Sequence, residues 1–225
     1  MILDNDKYGE EAMKLLEDGQ ALLDRIISDK LITAKGVFNI YPVYAIDETI
    51  FMQDTNFHFP RQLVDKGVNE INYSLADFIG PEKDWLGLFA VTAGHGVEKL
   101  SKIFESENDD YSSIMTKILA DRLAEAFAER MHQRVRKEYW GYDENESFLI
   151  EDLIMEKYRG IRPAPGYPAC PEHSEKDKIW SLLEVEKNTG ISLTETRAML
   201  PASSVSGWYF SHPDARYFSV GSNNS

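Results

Sequence analysis

From the amino end, apolar positions first recur at helical spacing. Leu15, Leu16, Leu22, Leu23, Ile26 and Ile27 predict a helix from about Gly9 to Ser28. Val37 to Tyr44 and Thr49 to Met52 then read as strands split by Asp47-Glu48, which predicts a hairpin. Asn69 to Ile79 predicts a short helix stopped by Gly80-Pro81. Trp85 to Thr92 is a continuous apolar run with Leu86, Leu88, Phe89 and Val91, the pattern of a buried strand. Gly94-His95-Gly96, which lacks the third glycine of a dinucleotide loop, reads as a strand-to-helix turn.

The longest signal lies between Asp109 and Tyr139. Leu119, Leu123, Phe127, Met131 and Val135 step by four along one face. Ala120, Ala124, Ala126 and Ala128 leave room for close packing beside that stripe. Asp109 and Asp110 suit the start of the helix; Arg134, Arg136 and Lys137 suit its end, before Gly141. About 30 residues make a helix of about 45 Å, enough to cross a whole domain. Phe148 to Tyr158 predicts another helix. A proline-rich loop follows from Gly160 to Pro171. Ser174 with Asp177 resembles a capping-box variant ahead of a helix from Glu175 to Lys187, closed by Asn188-Thr189-Gly190. Glu195 to Met199, Val205 to Phe210 and Arg216 to Val220 read as strand pieces, the last two joined by a turn at His212-Pro213-Asp214. Few strands, hairpins and long helices together predict an α+β fold, an antiparallel β-sheet flanked by long helices.

The 225 residues are ample for one sizeable core and short for two typical domains. There is no internal repeat, no low-complexity linker, no apolar run of about 18 residues and no signal-peptide order at the amino end. Cys170 is the only cysteine, so no intrachain disulfide forms, and a cytoplasmic location fits. A net charge of −14 argues against nucleic acid or a membrane surface as partner.

Arg159 to His173 is the most unusual stretch. Pro163, Pro165, Pro168 and Pro171 fix φ and remove backbone donors, so this segment is expected to join neither helix nor sheet. The N–H groups of Ala164, Gly166 and Tyr167 are then free to meet a ligand, Gly166 permits close approach, and Arg162 offers a planar fork for a carboxylate. The same features also fit a rigid connector between helices, and residue chemistry alone leaves both readings open.

Three blocks carry a family resemblance. Arg162-Pro-Ala-Pro-Gly-Tyr-Pro168 with Ala169-Cys-Pro-Glu-His173, Ser206 to Phe218, and Leu119 to Glu129 continuing to Tyr142 resemble the S-adenosylmethionine-binding reactivation domain of cobalamin-dependent methionine synthase. The resemblance runs from about Lys7 to Val220 and is looser over the first hundred residues. It implies that 1–225 is a single such domain, whose family flanks, including an amino-terminal segment with a ligand-binding Asp, lie outside this chain. It further implies ligand contacts from Arg162, Ala164, Gly166, Tyr167, Tyr217 and Phe218, with Glu125 and Glu156 near the sulfonium. The family often has two tyrosines at the last pair, so Phe218 departs by a hydroxyl.

The implied function is to bind S-adenosylmethionine and present it for reductive methylation of cob(II)alamin. That step reactivates an enzyme which moves a methyl group from 5-methyltetrahydrofolate to homocysteine. The implied partners are the cobalamin-binding domain, which holds the cobalamin, and flavodoxin or an equivalent reductase. Zinc belongs to another part of the full enzyme. No residue here is expected to act as acid, base or nucleophile. Two other classes stand beside this one: a stand-alone S-adenosylmethionine-binding or regulatory module, and a methyltransferase with its own small substrate. The second is disfavoured in its common form because no glycine-rich loop follows an early strand. Cys170-Pro-Glu-His173 has a metal-like spacing but lacks a second cysteine. His58, His132 and His212 have no evident nucleophile partner, and Tyr139, Trp140 and Tyr142 read as packing aromatics. Arg134, Arg136 and Lys137 are expected to form a basic patch for an acidic redox partner, or simply the charged end of a helix.

Overall fold

The computed structural model describes residues 8–63 and 71–221. A five-stranded antiparallel sheet in the order β3-β2-β1-β4-β7 organises the fold. β1 (Thr33–Ile46) and β2 (Thr49–Met52) form the expected hairpin, with Tyr44 opposite Phe51, and β3 (Thr55–His58) extends it outward. β4 (Asp84–His95) takes the predicted buried run: Leu86, Leu88, Phe89, Ala90 and Val91 have no solvent exposure. β1 lies on one side of β4 and β7 (Ser204–Tyr209) on the other. β5 (Ser192–Leu193) and β6 (Met199–Leu200) make a separate two-stranded ribbon.

Because side chains alternate across a strand, β4 feeds two cores. Leu86, Leu88 and Ala90 join Phe57, Phe59, Trp208 and Phe210 on one face. Phe89 and Val91 join Tyr209 on the other, beneath the long helix. The first core is closed by α5 (Glu175–Leu183) and α6 (Val185–Thr189). α1 (Gly9–Ser28) and α2 (Val97–Ser106) pack through Leu22, Ile26, Leu100 and Phe104 against Met115 of α3 (Asp110–Arg134).

α3 begins where the sequence places it, with the Asp109 carboxylate accepting the Ser112 N–H at 3.0 Å. Beyond Arg134 it widens into a π turn over Val135–Tyr139. Its innermost face differs from the expected stripe. Ser113, Thr116, Ala120, Ala124, Ala128 and His132 are buried, while Leu119, Leu123, Phe127 and Met131 are half-buried on the flank and Ala126 is exposed. Small side chains let the helix axis approach the sheet, and the larger ones fill the wedge beside it.

Other expectations need correction. Of the predicted helix at Asn69–Ile79, 69 and 70 lie outside the described residues, and the rest forms only a 3₁₀ turn, Leu75–Phe78, capped by Ser74. Leu75, Ala76 and Phe78 are all buried there, so burial rather than helical amphipathicity sets the segment. Helix Phe148–Tyr158 shrinks to α4 (Ile150–Ile154). Leu149, Ile150 and Ile154 are 72, 72 and 76% exposed, so little tertiary packing supports a longer helix. Helix Glu175–Lys187 breaks at Glu184, whose φ is 45°, where the Asn188 amide caps the Leu183 carbonyl, and Ser174 makes no side-chain cap. Gly190 closes α6 as expected. Gly94-His95-Gly96 is the expected strand-to-helix turn, and His95 Nε2 lies 2.6 Å from the Thr189 carbonyl. Of Glu195–Met199 only Met199 enters a strand, and Arg216–Val220 is extended chain held by Val220 N–H to Pro168 O and by the Gln62 amide to Ser219 O. No helix among the described residues is long and apolar enough to cross a membrane.

Candidate functional site: a pocket at the free edge of the sheet

β7 is an edge strand, and the proline-rich segment covers part of its edge. Ile161 exchanges both backbone hydrogen bonds with Phe210, and Trp208 N–H donates to Pro163 O at 3.0 Å. The expectation that this loop joins no ladder is therefore corrected: Ile161 still has its N–H, and Pro163 still has a carbonyl to accept with. Gly207 makes the approach possible, since a Cβ there would lie 2.2 Å from the Pro163 oxygen. Beyond Pro163 the chain leaves the strand and turns back through Gly166, whose φ is 89° and whose α-carbon faces the His173 ring. The Gly166 N–H donates to Cys170 O at 2.8 Å, so it is not free for a ligand, contrary to expectation. No hydrogen bond of the Ala164 or Tyr167 N–H occurs among the described residues.

Between this loop, α3 and the carboxyl-terminal tail lies a cavity of about 720 Å³. Glu125 and Ala128 come from α3, Glu156 from the turn after α4, and Val205 from β7. The loop gives Arg162, Ala164 and Tyr167, and the tail gives Tyr217 and Phe218. Seven of the eight expected site residues thus share one cavity, from four separate stretches of chain. Gly166 shapes the turn without lining it.

Arg162 is the cavity's cation. Its Nη1 pairs with Glu129 Oε2 at 2.7 Å and donates to the Tyr158 hydroxyl, while its backbone N–H donates to the Tyr217 hydroxyl at 3.0 Å. Burial opposes its charge, but Tyr158 and Glu129 outweigh that and hold its pKa above the ordinary arginine value. Burial also raises the Tyr217 hydroxyl, which stays protonated at neutral pH. The side chain's Nε and Nη2 have no partner among the described residues, leaving part of the fork for a ligand.

Two comparisons bear on this geometry. The family model for the vitamin B12 dependent methionine synthase activation domain matches residues 1–225. A crystal structure of the MetH reactivation domain bound to AdoHcy is similar at 49% sequence identity, with a TM-score of 0.93, covering 97% of this chain and 71% of that one. The chain belongs to the vitamin B12 dependent methionine synthase activation domain family.

Behind its cavity the activation domain holds a buried polar cluster. Arg136 is fully buried, pairs with Glu146 through Nε and Nη2, and lies 3.7 Å above the Tyr158 ring. The expected basic patch is therefore corrected, because one of its three cations faces the interior. Arg134 pairs with Glu138, and Lys137 donates to the Glu146 carbonyl. His132 Nε2 meets the Tyr142 hydroxyl at 3.1 Å, and its ring stacks on Tyr209. Burial holds the His132 pKa well below the ordinary 6.5, assisted by Arg136 and Arg162. Burial likewise raises the hydroxyls of Tyr142, Tyr158 and Tyr209. Tyr142 is thus more than a packing aromatic, whereas Tyr139 is a half-exposed ring beneath Arg134.

Cys170 is fully buried in the apolar core, and burial pushes its thiol up to about 12. Among the described residues no group of three or more His, Cys, Asp or Glu could hold a metal ion. Glu129 and Tyr158, which contact Arg162 beside the cavity, are the residues that sequence reasoning missed. For Glu129 spacing carried a signal, since it lies one helical turn after Glu125 on α3; Tyr158 lies outside any helix and carried none.

Proposed function

We propose that this activation domain, over its whole length 1–225, binds S-adenosylmethionine in the cavity around Arg162 and presents it to a cobalamin-binding domain of methionine synthase. There it serves reductive methylation of cob(II)alamin, with the electron supplied by flavodoxin or an equivalent reductase. One observation carries the reading: Arg162, Glu125, Glu156 and the Tyr217-Phe218 pair line one cavity in a chain 49% identical to a reactivation domain bound to AdoHcy.

The charges match the ligand. S-adenosylmethionine carries a carboxylate, an ammonium and a sulfonium. The cavity offers one cation, Arg162, and two anions, Glu125 and Glu156. The guanidinium takes the carboxylate through its remaining N–H donors. The two glutamates are exposed, and Glu125 also pairs with Arg122 at 2.7 Å, so they favour the ligand cations by a solvent-screened Coulomb attraction. Tyr217 and Phe218 supply ring faces, and the Ala164 and Tyr167 N–H groups supply backbone donors. The cobalamin supplies the metal chemistry when its domain docks; the residues of this chain bind, orient and neutralise.

Isothermal calorimetry of the chain with S-adenosylmethionine, beside Arg162→Ala, tests the reading. Saturable binding weakened by about 1.5–3 kcal/mol in the variant supports it. An unchanged dissociation constant removes Arg162 from the site. Absence of binding by the unaltered chain overturns the reading.

A further inference from the structure

Arg162 cannot orient itself. Arginine side chains are long and rich in rotamers, and an unanchored guanidinium loses entropy when it meets a ligand. Here one nitrogen, Nη1, is held from two sides by Glu129 Oε2 and the Tyr158 hydroxyl. Tyr158 itself lies within 3.3 Å of the same Glu129 oxygen, so the three groups form a closed triangle. Glu129 has 22% side-chain exposure and Arg162 20%, so the pair is only weakly screened. The second carboxylate oxygen, Glu129 Oε1, is buried without a hydrogen bond among the described residues and faces the Arg136 Nη2 at 3.7 Å. Arg136 is itself fixed by Glu146. Glu129 is thereby stationed between a buried cation and a cavity cation, on a rigid helix.

We propose that Glu129 is a positioning residue for ligand recognition: seated on α3 and braced by Tyr158, it holds the Arg162 guanidinium so that Nε and Nη2 are set to receive the ligand's carboxylate. The inference rests on the proposed function and adds a residue that works through another. It also places the selectivity: the clamp acts only on the amino-acid end of the ligand. A ligand with the same adenosine but no carboxylate gains nothing from it.

The test is calorimetry with two probes, S-adenosylmethionine and 5′-methylthioadenosine, on the unaltered chain, Glu129→Ala, Glu129→Gln and Arg162→Ala/Glu129→Ala. Glu129→Ala is expected to weaken S-adenosylmethionine binding at least tenfold and to leave 5′-methylthioadenosine within twofold. Glu129→Gln retains an acceptor for Nη1 and recovers part of the loss. In the Arg162→Ala background the Glu129 substitution adds no further loss, since a group acting only through Arg162 has nothing left to position. Equal weakening of both probes means a general structural role and overturns the proposal. So does Glu129→Gln binding S-adenosylmethionine as the unaltered chain does while Glu129→Ala shows no selective loss. An unaltered chain that binds neither probe overturns the proposed function itself, a result distinct from either of those.

Discussion

Trp208 and Tyr209 are neighbours on β7 and point into opposite halves of the molecule. Trp208 enters an apolar core and meets Phe57 and Phe59 edge-on at 5.6 and 4.9 Å. Tyr209 enters the space beneath α3, stacked between Phe89 and His132 at 4.5 and 4.8 Å. The first core is mostly hydrocarbon and aromatic, and among the described residues the Trp208 indole N–H lies buried in it without a hydrogen bond. The second holds a fully buried ion pair, a buried histidine and several polar atoms without a hydrogen bond among the described residues. Apolar burial stabilises a fold with little demand on geometry, whereas buried charges stabilise only when every partner is in place. The cavity opens beside the second core, so the costly groups lie where charge and orientation are needed.

Removing a member from each core sharpens that contrast. Trp208→Ala is expected to cost about 3–5 kcal/mol in urea unfolding, from lost burial and the void left behind. Arg136→Ala is expected to cost about as much for a different reason: it strands the Glu146 carboxylate without its partner. The paired replacement Arg136→Met with Glu146→Leu then recovers most of the loss, which no second substitution near Trp208 would do. Failure of the pair to recover would mean that Glu129, 3.7 Å from Arg136, also depends on that cation.

A smaller effect separates the cores by pH. The folded His132 pKa lies well below 6.5, so the unfolded chain binds a proton that the folded chain refuses. Stability from this group is present above pH 6.5 and is lost as pH falls below it. Urea unfolding at pH 7 and at pH 5.5 should therefore show lower stability at the lower pH. His132→Gln should flatten that slope, and an unchanged slope would assign it to other groups. Smallest is Tyr209→Phe, which deletes a buried hydroxyl with no hydrogen bond among the described residues. It should be neutral or stabilising by up to about 1 kcal/mol in thermal unfolding. A loss above that would show that the hydroxyl is bonded.

Much of the architecture was legible in the pattern. α1, the β1–β2 hairpin and the β4 run fall where periodicity puts them; the β4 run is buried throughout, while α1 buries only Leu22 and Ile26 and leaves Leu15, Leu16 and Ile27 exposed. The failures have a shared cause. α3 turns its alanines and His132 inward rather than its leucines, since the approach of helix to sheet is set by β4 and β7, distant in sequence. The Pro163 segment joins a strand edge because Gly207, more than forty residues on, leaves room for its carbonyl. Glu129 and Arg136 look like ordinary charges on a helix and are instead half-buried and buried.

The sequence alone determined the α+β class, the main helices and strands, and the family to which the chain belongs. It marked Arg162, Tyr217 and their neighbours as site residues through the family resemblance. Only the tertiary structure decided that loop, helix, turn and tail close one cavity, and that Arg162 arrives there already held by Glu129. The physical reason is range. Periodicity reports which side of a segment avoids water, a local property of neighbouring residues. A site of opposed charges depends on distances between segments remote in sequence, and packing alone fixes those.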